Sequence, residues 1–88
     1  MNIIWTSQFK KDYKRVKKQG KDLDDLRSVI EMLVGREPLP PKSRDHSLCG
    51  RWNKHRECHI APDWLLIYRI EGGDLILERT GSHSELFG

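Results

Sequence analysis

All four histidines of this 88-residue chain, His46, His55, His59 and His83, lie in its second half. Two of them open the stretch HRECHIAPDWLLIYRI (residues 55–70), where His59 precedes a Pro-Asp pair and Trp64 follows it. A turn needs Pro62 and Asp63. It needs neither an imidazole before them nor an indole after them. Imidazole, with an ordinary pKa of about 6.5, gives or takes a proton at neutral pH, so histidines beside a carboxylate suggest acid–base chemistry.

Cleavage of RNA by its own 2′-hydroxyl sets three tasks. The hydroxyl must lose a proton as it attacks phosphorus. The departing 5′-oxygen must gain one. Charge growing on the phosphoryl oxygens must meet fixed donors. His46, His59, Asp63 and His83 can serve the proton transfers, and Arg79 can serve the phosphate with its planar fork of donors. Trp64 and Phe87 can stack an unpaired base, worth about 1–3 kcal/mol per base. Taken singly, each has a plainer reading: a surface histidine, a Pro-Asp turn, a core tryptophan. Those readings do not explain why a basic loop, the His-x-x-Pro-Asp-Trp turn and an Arg-Thr-Gly-Ser-His ending occur together.

Metal binding is the competing use of histidine. His55 and His59 are four apart, a spacing that suits one face of a helix. The segment reads as a strand, along which four residues span about 13 Å, too far for one ion. Cys49 and Cys58 lack the close spacing of a structural zinc site. The expectation is no metal and no other cofactor, with both cysteines as free thiols.

Sixteen Lys and Arg oppose thirteen Asp and Glu, a net charge of +3, and the distribution is uneven. Residues 10–18, KKDYKRVKK, carry six basic side chains and one acid, and residues 42–56 carry five Lys or Arg. Such clustering is the footprint of phosphate binding. It nominates Lys10, Lys11, Lys14, Lys17, Lys18, Arg51, Lys54 and Arg56 for RNA. The longest apolar run, Trp64 to Tyr68, is far short of the roughly 18 residues of a membrane helix. The N-terminus lacks the pattern of a secretory signal. A cytoplasmic protein without membrane contact is the expectation.

The elements that must position these residues read as follows. NIIWT is a short strand. Ser7 is placed to cap a helix whose Phe9, Tyr13 and Val16 form one stripe, stopped by Gly20. A second helix starts near Asp22, with Leu23, Leu26, Ile30 and Leu33 on one face, and ends at Gly35. The segment REPLPPKSRDH is an extended, non-helical loop. RWNKHRECHI and DWLLIYRI read as strands, the latter central. EGGD is a hairpin turn, and LILERT is the returning strand. Ser82 to Glu85 has the form of a capping box opening a last helical turn. The expected class is α+β in a single domain, residues 1–88: a two-helix hairpin on a small, mostly antiparallel four-stranded sheet, in the order β-α-α-β-β-β.

RDHSLCGRW, RECHIAPDWLLIYRI and LERTGSHSELFG resemble the RelE superfamily of bacterial toxins, most closely its YafQ branch. The most specific elements are H-x-L-x-G (His46 to Gly50), H-x-x-P-D-W (His59 to Trp64) and E-R-T-G-[ST]-H (Glu78 to His83). The resemblance implies a RelE-like microbial RNase fold. It also implies a ribosome-dependent endoribonuclease that cuts messenger RNA in the decoding site of the 70S ribosome. A neutralising, operon-repressing antitoxin is the implied partner. By this resemblance His46, His59, Asp63 and His83 match the acid–base group, Arg79 the phosphate-stabilising arginine, and Trp64 and Phe87 the bordering aromatics. The basic first helix is implied to face ribosomal RNA. His83 is the expected general acid, and His46, His59 and Asp63 stand open as the base. RelE itself has mainly Lys and Arg where this chain has histidines. Two other readings are a same-fold ParE-like toxin that poisons DNA gyrase, and a non-catalytic RNA-binding module. ParE-type relatives lack this histidine set.

Overall fold

A computed structural model describes all 88 residues. The chain begins with β1 (Asn2–Trp5), followed by α1 (Ser7–Lys18) and α2 (Leu23–Val34). After the proline loop come β2 (His46–Ser47), β3 (Arg56–Ala61), β4 (Trp64–Glu71), β5 (Asp74–Gly81) and α3 (His83–Phe87). The sheet has five strands in the order β1-β5-β4-β3-β2, one more than the sequence suggests. The extra one is β2, two residues long and defined by its antiparallel pairing with β3 (His46 opposite Glu57, Ser47 opposite Arg56). Only β1 runs parallel to its neighbour, β5. No helix is long and apolar enough to cross a membrane.

The helical hairpin covers one face. Phe9 and Val16 from α1, and Leu26 and Leu33 from α2, pack on Cys58, Trp64, Leu66, Tyr68, Leu75 and Leu77 of the sheet. The strand members of this core alternate along β4 and β5, as a pleated sheet requires. The opposite face has a smaller apolar cluster, Leu65, Ile67 and Leu86, covered in part by Leu48 and Trp52.

Several local expectations are corrected. The cap of α1 is Thr6, whose hydroxyl accepts from the Phe9 N–H; Ser7 is already helical. The α1 exit is a full Schellman turn: Gly20 at φ 76° donates to Lys17 and Lys21 donates to Val16. α2 ends at Gly35 as the sequence indicates, and the left-handed residue is the next one, Arg36, at φ 55°. The proline loop is not wholly extended, because Pro41–Ser43 form a 3-10 turn. RWNKHRECHI is not one strand either. Gly50–Trp52 form a second 3-10 turn, and pairing begins only at Arg56. Asp22 caps α2 and Gly72-Gly73 make the two-residue β4–β5 turn, both as the sequence indicates.

One irregularity sets the geometry of everything after it. Tyr68 pairs with Leu77 but Ile67 pairs with Arg79, so Glu78 is an extra residue bulged out of β5. Strict alternation from Leu75 and Leu77 would turn Arg79 toward the helices. The bulge instead puts it in register with Ile67, on the opposite face. The Glu78 carboxylate is held there by His55 Nε2 and Arg69 Nε, each at 2.9 Å.

Candidate functional site

The face opposite the helical hairpin carries a cross-strand row: His46, Glu57, Ile67 and Arg79 lie opposite one another on β2, β3, β4 and β5. His59 and Leu65 form part of the next row. The β3–β4 turn supplies Asp63, and the start of α3 supplies His83. Thus four separate elements deliver one cluster.

Within it, His83 Nδ1 lies 2.7 Å from Asp63 Oδ1, and the His83 backbone N–H donates to the same oxygen at 3.0 Å. These two bonds hold the Asp63 carboxyl below the ordinary carboxylate range. Asp63 is therefore ionised at neutral pH and can only accept, so Nδ1 of His83 carries a proton. The other ring nitrogen is left for chemistry, on a side chain 53% exposed. The ring of His59 stands 5.6 Å from that of His83, centroid to centroid. Its Nε2 is 3.6 Å from Glu57 Oε1, and His46 Nε2 is 3.9 Å from the same oxygen. His46 Nδ1 sits 2.7 Å from the Arg44 carbonyl oxygen, an acceptor only, which assigns its proton to Nδ1 and frees Nε2.

His46, His59, Asp63 and His83 thus come together, threaded by Glu57, a buried carboxylate that the sequence reading missed. A Glu in a basic strand segment looks like surface. Only its place between His46 and His59 shows otherwise. Arg79 joins the row by register, but its guanidinium turns to the free edge of β5, where Nε donates to Asp12 Oδ2 at 2.7 Å. Phe87 is exposed at the end of α3 and available for stacking.

Trp64 is a correction. Its ring is 3% exposed within the helix-side core and its indole N–H donates to Thr80 Oγ1 at 2.9 Å, so it cannot stack on a base. Arg56 is also less free than its charge suggests. It binds Asp45 through two nitrogens and Ser47 at 2.9 Å, in a network that includes the Tyr68 hydroxyl. Lys10, Lys11, Lys14, Lys17 and Lys18 are all exposed along α1, and Arg51 and Lys54 are exposed before β3. Cys49 is exposed and free, while Cys58 lies in the core, where burial pushes its thiol up to about 12.

The pair His55 and His59 does not converge, as strand spacing predicts: His55 faces Glu78. A different trio does. Glu57, His59 and His83 each offer a ligand atom within 4.8 Å of the others, a set able to hold a transition-metal ion. Its members come from a strand and a distant helix, so spacing in the sequence could not show it.

The family described as "Bacterial toxin of type II toxin-antitoxin system, YafQ" matches residues 1–88. The chain belongs to this YafQ toxin family. A relative from Escherichia coli (strain K12), named mRNA interferase toxin YafQ, is 40% identical over 88 residues, covering 99% of this chain and 96% of that protein. The crystal structure of a copper-bound mutant toxin from Helicobacter pylori superposes with a TM-score of 0.95 at 44% identity, covering 99% of each chain. The toxin fold in the E. coli DinJ-YafQ toxin-antitoxin complex gives 0.91 at 40% identity, covering 99% of this chain and 97% of that one.

Proposed function

We propose that this protein is the toxin of a type II toxin–antitoxin pair and a ribosome-dependent endoribonuclease that cuts messenger RNA in the decoding site. The whole chain acts as one domain in the cytoplasm, and a cognate antitoxin neutralises it. The name of the E. coli relative and its complex with DinJ support the toxin and antitoxin parts of this reading. The observation that carries the chemistry is the His83–Asp63 pair standing beside His59.

His83 is the general acid. Asp63 fixes its ring and the proton on Nδ1, and the other ring nitrogen delivers a proton to the departing 5′-oxygen. Asp63 is thereby a positioning group for His83. His46 is the better base, because the Arg44 carbonyl holds its proton on Nδ1 and leaves the Nε2 lone pair exposed to a 2′-hydroxyl. His59 and Glu57 lie between the two and share the charge. Arg79 contributes its unoccupied guanidinium edge to the phosphoryl oxygens, and Phe87 borders the base. The lysines of α1 bind ribosomal RNA, so ribosome affinity falls steeply with salt. A metal ion on Glu57, His59 and His83 would occupy the nitrogens that this chemistry needs free, and the proposed reaction uses none.

The test is primer extension on a defined message in a translating extract, with wild-type protein and with His83→Ala. New 5′ ends with wild type, lost in the variant while ribosome binding persists, are expected. Absence of new ends with wild type overturns the reading. Growth inhibition undiminished by His83→Ala favours a gyrase-directed toxin or a passive RNA-binding module instead.

A further inference from the structure

We infer that Asp12 is a positioning residue for Arg79: from inside α1 it grips one side of the guanidinium and leaves the opposite edge presented to a phosphate. The inference rests on the reading of Arg79 as the phosphate-binding group.

Asp12 is the one acid in the basic segment KKDYKRVKK, and its side chain is wholly buried while the lysines around it are exposed. A buried carboxylate is costly unless donors surround it. Here Arg79 Nε donates to Oδ2 at 2.7 Å and Arg79 Nη2 to Oδ1 at 3.3 Å. Three further donors hold the carboxylate still: Arg15 Nη1 at 3.0 Å, Gln8 Nε2 at 3.2 Å and the Thr80 N–H at 3.2 Å.

The location explains why a side chain is needed there. β1 pairs with β5 only as far as Leu77, and Thr6 extends the edge by bonding the Leu77 and Glu78 carbonyls. Beyond that point Asp12 accepts from Thr80 N–H and Arg15 donates to the Thr80 carbonyl at 2.8 Å. Two helix side chains thus stand in for the missing strand. An asparagine could satisfy the Thr80 N–H equally well. What calls for a carboxylate is the two guanidiniums on it, Arg15 and, through two nitrogens, Arg79.

A guanidinium has five N–H donors. Asp12 engages it side-on, through Nε and one Nη2 hydrogen. The Nη1 hydrogens and the second Nη2 hydrogen form the end-on edge, whose spacing suits two phosphoryl oxygens. The Arg79 side chain is 21% exposed, with Nε and Nη2 held by Asp12 and no protein acceptor on Nη1. Clamping removes rotamer freedom that an untethered arginine would lose on meeting phosphate.

The experiment is a double-mutant cycle read by single-turnover cleavage on stalled ribosomes, with melting temperature followed in parallel. Asp12→Asn in the wild-type background is expected to slow cleavage about 10–100-fold, and in an Arg79→Ala background less than about twofold, because the two act as a unit. The toxin concentration giving half-maximal rate stays within about twofold, since the lysines are intact. An equal loss in both backgrounds, or no loss in the first, overturns the inference. Should Asp12→Asn not fold, or the wild type cut no message, NMR of the free wild-type protein decides. A slowly exchanging Arg79 Nε–H signal with restricted guanidinium rotation is expected, and a freely averaging one overturns the inference. Only the absence of cleavage by wild type counts against the nuclease reading itself.

Discussion

Neighbouring residues of β3 and β4 meet opposite fates. Cys58, Leu66 and Tyr68 point into the helix-covered core, each at most 1% exposed, among Phe9, Val16 and Leu26. Glu57, His59, Leu65 and Ile67 point the other way, where the cover is a five-residue helix and two residues from the loops, Leu48 and Trp52. Both faces bury leucines, but the thinly covered one gathers His46, His59, His83 and Glu57 into one cluster. The helical hairpin supplies most of the apolar burial, and burial of that kind dominates folding. The other face is then free to carry imidazoles and carboxylates that contribute little to stability.

If this division holds, substitutions on the two faces should separate folding from activity. The largest effect expected is Leu66→Ala, which opens a cavity beneath α1 and α2 and should cost about 2–5 kcal/mol in chemical denaturation. A cost below about 1 kcal/mol would break the contrast. Asp63→Asn comes next. It should lower single-turnover cleavage about 100-fold, within the range of a positioned proton-transfer group. It should also leave the denaturation midpoint nearly unchanged, because Asp63 is exposed.

Acid sensitivity sharpens the comparison. Burial works against ionisation of Asp12, but hydrogen bonds from Arg79, Thr80 and Gln8 and the charge of Arg79 outweigh it and bring its pKa below the usual value. Burial likewise opposes ionisation of Glu78, and His55 and Arg69 reverse it. Carboxylates with depressed folded pKa values contribute stability that is present above their unfolded values and lost as pH falls through the folded ones. Melting temperature should therefore be flat above about pH 5 and decline below about pH 4. Asp12→Asn should shallow that decline. The smallest effect expected is Thr6→Ala, which removes the α1 cap at a cost of about 1 kcal/mol. It should not alter cleavage by folded protein.

Legibility in the sequence follows the range of the signal. Asp22, the Gly72-Gly73 turn and the Ser82–Glu85 capping box act within a few residues, and each is found where its type predicts. The helix stripes were legible because a 3.6-residue period needs no partner to be seen. β2 was not, because two residues become a strand only through β3. Gly35 ends α2 where its type predicts, although the left-handed turn falls on the next residue, Arg36. Within the site, the histidines were conspicuous by rarity, whereas Glu57 and Asp12 were hidden among many charged residues. Trp64 was ambiguous by type: an indole serves a core or a stack equally, and its Thr80 acceptor is sixteen positions away.

The bulge at Glu78 works as a parity switch. A strand counts its residues in twos, and one uncounted residue reverses the assignment of all that follow. Drawing Glu78 into regular pairing would turn the rest of the strand over. The guanidinium of Arg79 would start from beneath the helices, Thr80 would leave the indole of Trp64 without its acceptor, and α3 would depart from the wrong side. One residue of surplus backbone thus decides which surface of this sheet is armed.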